Sequence, residues 1–382
     1  MRRVKTMQAQ RIDSLTSLRF IAAALVVIFH SKGMFGGFSF APHFSLTQAV
    51  SMFYVLSGFI LAHTHKNISS SKELGMFYIS RISRIWPLHL ACSLAVIAII
   101  HHYSGQISAT TTALNFSLLQ AWIPDQTIYF SLNGVAWSLS DEVFFYALFP
   151  LLILNIKKTW QIKLAASFTL TALMLFAFRD SERNLMLWSA YISPLTRLSE
   201  FMLGIAAYQI HLRIKHIEIK PHFAATVIEA LAIALAGAAM WVGDLTFFSS
   251  LPLAINKSVS IWFANCGGAI AFAFLILTFS LERGLISKAL RIRPLVYLGE
   301  ISFALYMVHQ IVLRLMDMYP QLTSGLPFAA AISLYYASSI ICAAAAHHLI
   351  ETPSRKLIVN TTRNVIYKEK SIKYETGVTK EN

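Results

Sequence analysis

Apolar residues along this chain gather into runs of about 20, the length a helix needs to cross a hydrocarbon layer roughly 30 Å thick. Read at that spacing, ten spans are predicted, at about 17–36, 46–64, 87–103, 135–155, 162–178, 185–210, 222–242, 258–281, 295–316 and 327–349. A shorter apolar stretch, 113–123, is below spanning length and is expected to be re-entrant or interfacial. The pattern predicts an all-α polytopic membrane bundle over residues 1–353. A polar, basic tail follows over 354–382 and reads as a flexible extension able to touch anionic lipid.

Composition agrees with a bilayer environment. Hydrophobic residues make up 56% of the chain and charged residues 13%, where a soluble domain carries about a quarter. A net charge of +14 in a soluble protein suggests a nucleic-acid partner, but here the basic residues sit in short clusters between apolar runs, with no nucleic-acid motif. Placed on the ten-span topology, 26 of the 32 Lys and Arg residues fall on one side, against Lys32, Arg179, Arg183 and Lys257 on the other. That asymmetry puts both termini in the cytoplasm, and an odd number of spans would scramble it. The basic N-terminus and the run IAAALVVIF resemble a signal peptide without its small-residue cleavage site, so a retained first span is expected. Cys92, Cys266 and Cys342 fall inside spans without metal-ligand spacing and read as packing residues.

Ionisable groups inside a bilayer are costly, and each is a functional candidate. Arg19 and His30 lie in the first span, about 16 Å apart along a helix axis. A neutral imidazole can serve as a general base, though a helix-end arginine and an interfacial histidine would also account for the pair. Ser57 and Gly58 form a small-residue notch. Arg81 and Arg84, three apart, share a face if their loop is helical. Paired guanidiniums suit phosphate recognition, and ordinary anchoring suits them too. Pro87 is expected to open the third span as a first-turn proline.

Asp141 and Glu142 are adjacent and must point to different faces, one toward a cavity and the other capping the helix start. Trp137 and Ser138 stand about one turn before Glu142, which could bind a sugar hydroxyl or orient a histidine. Arg197 and Glu200 are spaced to pair. Tyr306 and His309 add polar groups to the ninth span, and Glu351 with Pro353 reads as a helix stop. No zinc, Walker or nucleophile-elbow motif occurs, so no metal and no tightly bound cofactor are expected.

In order, the segments LRFIAAALVVIFH, FYVLSGF, RISRIWP, WSLSDEVFFY, RLSEFMLG, ISFALYMVH and ETP resemble the acyltransferase-3 family of bacterial membrane acyltransferases. The resemblance covers about residues 12–353. It departs at Met52 and Tyr54, where phenylalanine is common, and at Phe303, where tyrosine is common. It implies transfer of an acyl group, often acetyl, from cytoplasmic acyl-CoA to a sugar hydroxyl of an envelope glycan or glycolipid at the bacterial inner membrane. His30 would be the leading catalytic group and Arg19 essential. Arg81 and Arg84 would bind the donor, and Glu142 would face the acceptor. Trp137, Ser138, Tyr306 and His309 complete the set as candidate substrate-binding residues. A transporter of a glycan or small molecule would use similar intramembrane charges. The absence of visible internal repeats and the ordered motifs weigh against it.

Overall fold

The computed structural model describes residues 11–36, 44–103, 105–217, 222–243 and 257–375, with side chains to residue 365. Arg2, Arg3, Lys5, Lys220 and the end of the basic tail lie outside them. The described residues are helical, with no strand among them. In chain order the helices are α1 (Asp13–Phe35), α2 (Ala49–Thr64), α3 (Ser71–His102), α4 (Ala109–Phe116), α5 (Gln126–Tyr129), α6 (Trp137–Ile153), α7 (Ile156–Ala177), α8 (Arg183–Leu187), α9 (Pro194–Ile214), α10 (His222–Val242), α11 (Lys257–Cys266), α12 (Ala269–Phe279), α13 (Leu285–Leu290), α14 (Arg293–Glu300), α15 (Ser302–Met318), α16 (Phe328–Ala346) and α17 (Thr352–Glu375).

Helices stand at all ten positions that the apolar runs predict. Seven are long and apolar enough to cross a membrane, and an eighth if α14 and α15, bent by 63° at their break, form one span. The other two fall short, α6 by its length and α9 by its polar residues. α6 has only 17 residues and holds Asp141 and Glu142, while α9 carries Arg197, Glu200, His211 and Arg213. Large apolar side chains such as Leu151, Ile162, Phe176, Ile341 and Leu349 are exposed on the outside of the bundle, as expected of a surface that faces lipid.

Two expected helix boundaries are corrected. α3 begins at Ser71, because the Ser70 side chain accepts from the Glu73 N–H while the Glu73 carboxylate accepts from the Ser69 N–H. This exchange caps the helix start. The helix then runs through Arg81, Arg84 and Pro87 without a break, so Pro87 lies inside a helix and does not open one. Membrane helices tolerate such a proline because neighbouring groups satisfy the freed backbone. Nor does the chain stop at Pro353. A π-turn over His347–Glu351 leads directly into α17, whose first turn accommodates a proline that lacks an N–H. The expected flexible tail is therefore helical as far as Glu375, and it packs along α3.

α2 and α9 approach each other closely. A Cβ on Gly58 would collide with the Phe201 carbonyl, and one on Gly204 with the Val55 carbonyl, so the backbones touch where both residues lack a side chain. The 113–123 segment is partly buried against the bundle, with Asn115, Leu118, Gln120 and Ala121 inside. Its backbone carbonyls are met by side chains: His89 Nε2 donates to Asn115 at 2.8 Å, Trp86 Nε1 to Phe116 at 3.0 Å and Trp188 Nε1 to Ala121 at 2.9 Å. Backbone polar groups shielded from water need such partners.

Beside the α2–α9 crossing lies a buried polar layer. Arg197 and Glu200 pair at 2.9 Å with both side chains fully buried, as their spacing predicts. The guanidinium also contacts Cys266 Sγ and lies 4.8 Å from the Tyr54 ring centre. Cys266 is thus part of a polar cluster, while Cys92 is buried and Cys342 is exposed. Asp141 does not cap α6. It is fully buried and accepts a hydrogen bond from the Tyr54 hydroxyl at 2.7 Å.

Candidate active site

Two cavities open inside the bundle and share a wall. The first lies toward the N-terminal end of α1 and is lined by Arg19, Ser57, Arg81, Arg84, Ser138 and Glu142, among others. Its charged groups come from three helices. The unbroken course of α3 puts Arg81 and Arg84 on one face. On α6, Ser138, Glu142 and Tyr146 follow at intervals of four, so they form a single stripe toward the cavity. Glu142 accepts hydrogen bonds from Ser57 Oγ at 3.1 Å and from the Tyr146 hydroxyl at 2.5 Å. The Ser57–Gly58 notch therefore has two jobs, since its glycine admits α9 and its serine holds Glu142. Among the described residues, no hydrogen bond engages the guanidinium of Arg19 or Arg84. Three arginines thus face one carboxylate, so the lining carries an excess of positive charge.

The second cavity holds His30, with Phe29, Trp137, Tyr191, Gln310 and Arg314 among its lining. Tyr306 and Val50 line both cavities. The Tyr306 hydroxyl lies 2.8 Å from Ser138 Oγ and donates to the Val135 carbonyl at 3.1 Å, while its ring edge packs on Phe53 at 5.6 Å between centres. Val50, Phe53 and Tyr306 thus form the partition. The first turn of α6 straddles it, with Trp137 on the histidine side and Ser138 on the arginine side.

Of the two roles expected for Glu142, orienting a histidine does not match this arrangement for His30. Glu142 lies with the arginines, not in the His30 chamber, and its hydrogen bonds go to Ser57 and Tyr146. The His30 ring is held from elsewhere, by the Val26 carbonyl at 3.0 Å and His309 Nε2 at 3.1 Å, both at Nδ1. His309 is fully buried behind His30 and lines neither cavity. The structure thus groups Arg19, Arg81, Arg84, Ser138 and Glu142 in one cavity, places His30 and Trp137 in the other, and sets Tyr306 between them.

Three lining residues went unnoticed as candidates. Tyr146 continues the Ser138–Glu142 stripe, and Gln310 with Arg314 continues a stripe that starts at Tyr306. The signal for all three was the four-residue spacing from a residue already singled out. Arg314 is the one formally charged residue among those lining the His30 chamber.

Comparison with known proteins fits this architecture. An acyltransferase-domain family profile, that of acyltransferase-3, matches residues 12–348. The chain belongs to that family, and it is an acyltransferase, which sets aside the transporter reading. The acyltransferase MdmB of Streptomyces mycarofaciens is 29% identical, over 80% of this chain and 79% of its own length. The O-acetyltransferase OatA of Staphylococcus aureus is 25% identical over 93% of this chain, which spans 59% of that longer protein. No solved structure matches the chain.

Proposed function

We propose that this protein is a membrane O-acyltransferase that moves an acyl group, acetyl foremost, from cytoplasmic acyl-CoA to a hydroxyl of an envelope polysaccharide or glycolipid. The observation that carries this reading is the abutment of an arginine cavity and a histidine chamber at Tyr306. Acyl transfer between compartments needs an anion-binding donor end and a general-base end, joined along one path. The O-acetyltransferase named among the relatives supports the acetyl group.

In this reading the bundle has ten spans with both termini cytoplasmic, in the inner membrane of a bacterium. The charge asymmetry supports that orientation. It puts Arg19, Arg81 and Arg84 near the cytoplasmic face, where the coenzyme A phosphates dock as bidentate guanidinium partners. The thioester arm extends past Glu142 and Tyr306 toward His30, about 16 Å further along α1. The acceptor occupies the His30 chamber beside Trp137.

His30 Nε2 takes the proton of the acceptor hydroxyl as its oxygen bonds to the thioester carbonyl carbon. The tetrahedral intermediate then releases the thiolate, which takes that proton from the imidazolium. Net, the C–S bond is replaced by a C–O bond and the free thiol leaves. Tyr306 and Ser138 border this path, and Glu142 faces the donor.

The test uses the purified full chain in lipid nanodiscs with acetyl-CoA and extracted envelope glycolipid. Appearance of free thiol, together with an acetyl mass increment on the glycolipid, is expected, and His30→Ala should abolish both. Acetyl-CoA left intact by a folded protein would overturn the reading.

A further inference from the structure

Each of the two facing imidazoles presents its Nδ1 to a carbonyl four residues back on its own helix. His30 Nδ1 lies 3.0 Å from the Val26 oxygen, and His309 Nδ1 lies 3.1 Å from the Leu305 oxygen. A carbonyl oxygen only accepts, so both Nδ1 atoms carry the proton. In the neutral rings, both Nε2 atoms are then bare.

The relation between the rings follows. His309 Nε2 lies 3.1 Å from His30 Nδ1, and being bare it accepts. The His30 Nδ1–H is therefore shared between the Val26 carbonyl and the His309 lone pair. His309 is fully buried, so water cannot take its place as acceptor. In the opposite tautomer the His30 Nδ1 lone pair would face two other lone pairs at these distances, in surroundings that screen poorly. The rings sit 5.1 Å apart between centres and tilted by 41°, an edge-directed approach rather than a stack. His30 Nε2 makes no hydrogen bond to any described residue, and His30 borders the chamber.

We propose that His309 is a positioning residue: it holds His30 as the Nδ1–H tautomer, so that a bare Nε2 faces the chamber. This replaces the substrate-binding role expected of His309. It rests on the reading that His30 acts in transfer, and it adds what prepares His30 to do so.

The test uses full-length protein with 15N-labelled histidine in lipid nanodiscs. The His30 ring signals are assigned by their loss in His30→Gln. In the wild type, His30 gives a protonated Nδ1 and a bare Nε2. In His309→Leu this pattern gives way to the other tautomer or a mixture. His309→Gln restores it, because the glutamine side-chain carbonyl reaches the position of the lost Nε2 and accepts.

Transfer rates follow the same order. His309→Leu lowers kcat about 10–100-fold, the range set by losing the outer partner of a metal-bound imidazole, with KM for donor and acceptor nearly unchanged. His309→Gln recovers most of the rate. Thermal unfolding of both variants confirms that they are folded.

An unchanged His30 signature in His309→Leu overturns the proposal. So does a rise in acceptor KM shared equally by His309→Leu and His309→Gln, which would mark a substrate contact. If the tautomer follows His309 while His30→Ala keeps full activity, the catalytic reading of His30 fails and the positioning does not.

Discussion

The Tyr306 hydroxyl lies 2.8 Å from Ser138 Oγ, and this contact joins α15 to α6 beside the ring that stands between the arginine cavity and the His30 chamber. The arginines and His30 thus lie on opposite sides of it.

Opening the wall should uncouple the reaction. Tyr306→Ala removes the ring that both cavities share. Acyl-CoA hydrolysis without acceptor is then expected to rise several-fold while transfer falls, as read by thiol release with and without glycolipid. Tyr306→Phe keeps the ring and loses only the hydroxyl's bonds, worth about 1 kcal/mol, so its leak should stay near wild type. Equal leak in the two variants would contradict a barrier made by the ring.

Arg84→Ala should act on the donor alone. A charge-assisted hydrogen bond is worth about 1.5–3 kcal/mol, so KM for acyl-CoA is expected to rise roughly 10–100-fold with acceptor KM unchanged. The remaining affinity should depend less on salt than in the wild type. Steady-state kinetics at two ionic strengths check both points.

Glu142→Gln tests the placement of that residue among the arginines. The amide oxygen can still accept from Ser57 and Tyr146, so only a negative charge is lost. Anion attraction then increases, and KM for acyl-CoA should fall a few-fold, about 1 kcal/mol for a screened charge pair. A change confined to acceptor KM would put Glu142 back on the other side of the wall.

The buried pair of α9 predicts a stability pattern. Arg197→Met leaves Glu200 unpaired in a buried layer and is expected to cost about 3–5 kcal/mol. The double variant Arg197→Met, Glu200→Met should regain most of that loss. Thermal unfolding in detergent measures the difference, and a double variant no better than the single one would show that Tyr54, Ser51 and Cys266 depend on the arginine itself.

Helix positions were legible in the sequence because a bilayer makes hydrophobicity nearly one-dimensional: a run of apolar residues is a helix, and its length says whether it spans. The same signal misjudged α3 and α17, where a cap at Ser70 and a π-turn before Pro353 carry the helix beyond its apolar part. The Arg197–Glu200 pair and the shared face of Arg81 and Arg84 were legible because both are local. The cavity to which Glu142 belongs was not, because it depends on how α2, α3 and α6 lie side by side, and periodicity within one helix does not encode that. The backing of His30 by His309 was hidden for the same reason, with 279 positions between the two rings.

The close approach of α2 and α9 at Gly58 and Gly204 ties distant positions together in the evolution of this protein. A methyl group gained at either meets a backbone carbonyl, which no rotamer change in a neighbour can relieve. The helices would have to separate, and Ser57, one residue from the contact, would move with them and draw its hydroxyl from Glu142. A change made at the α9 surface would therefore be inherited by the charge balance of the arginine cavity, although no residue of that cavity had been altered.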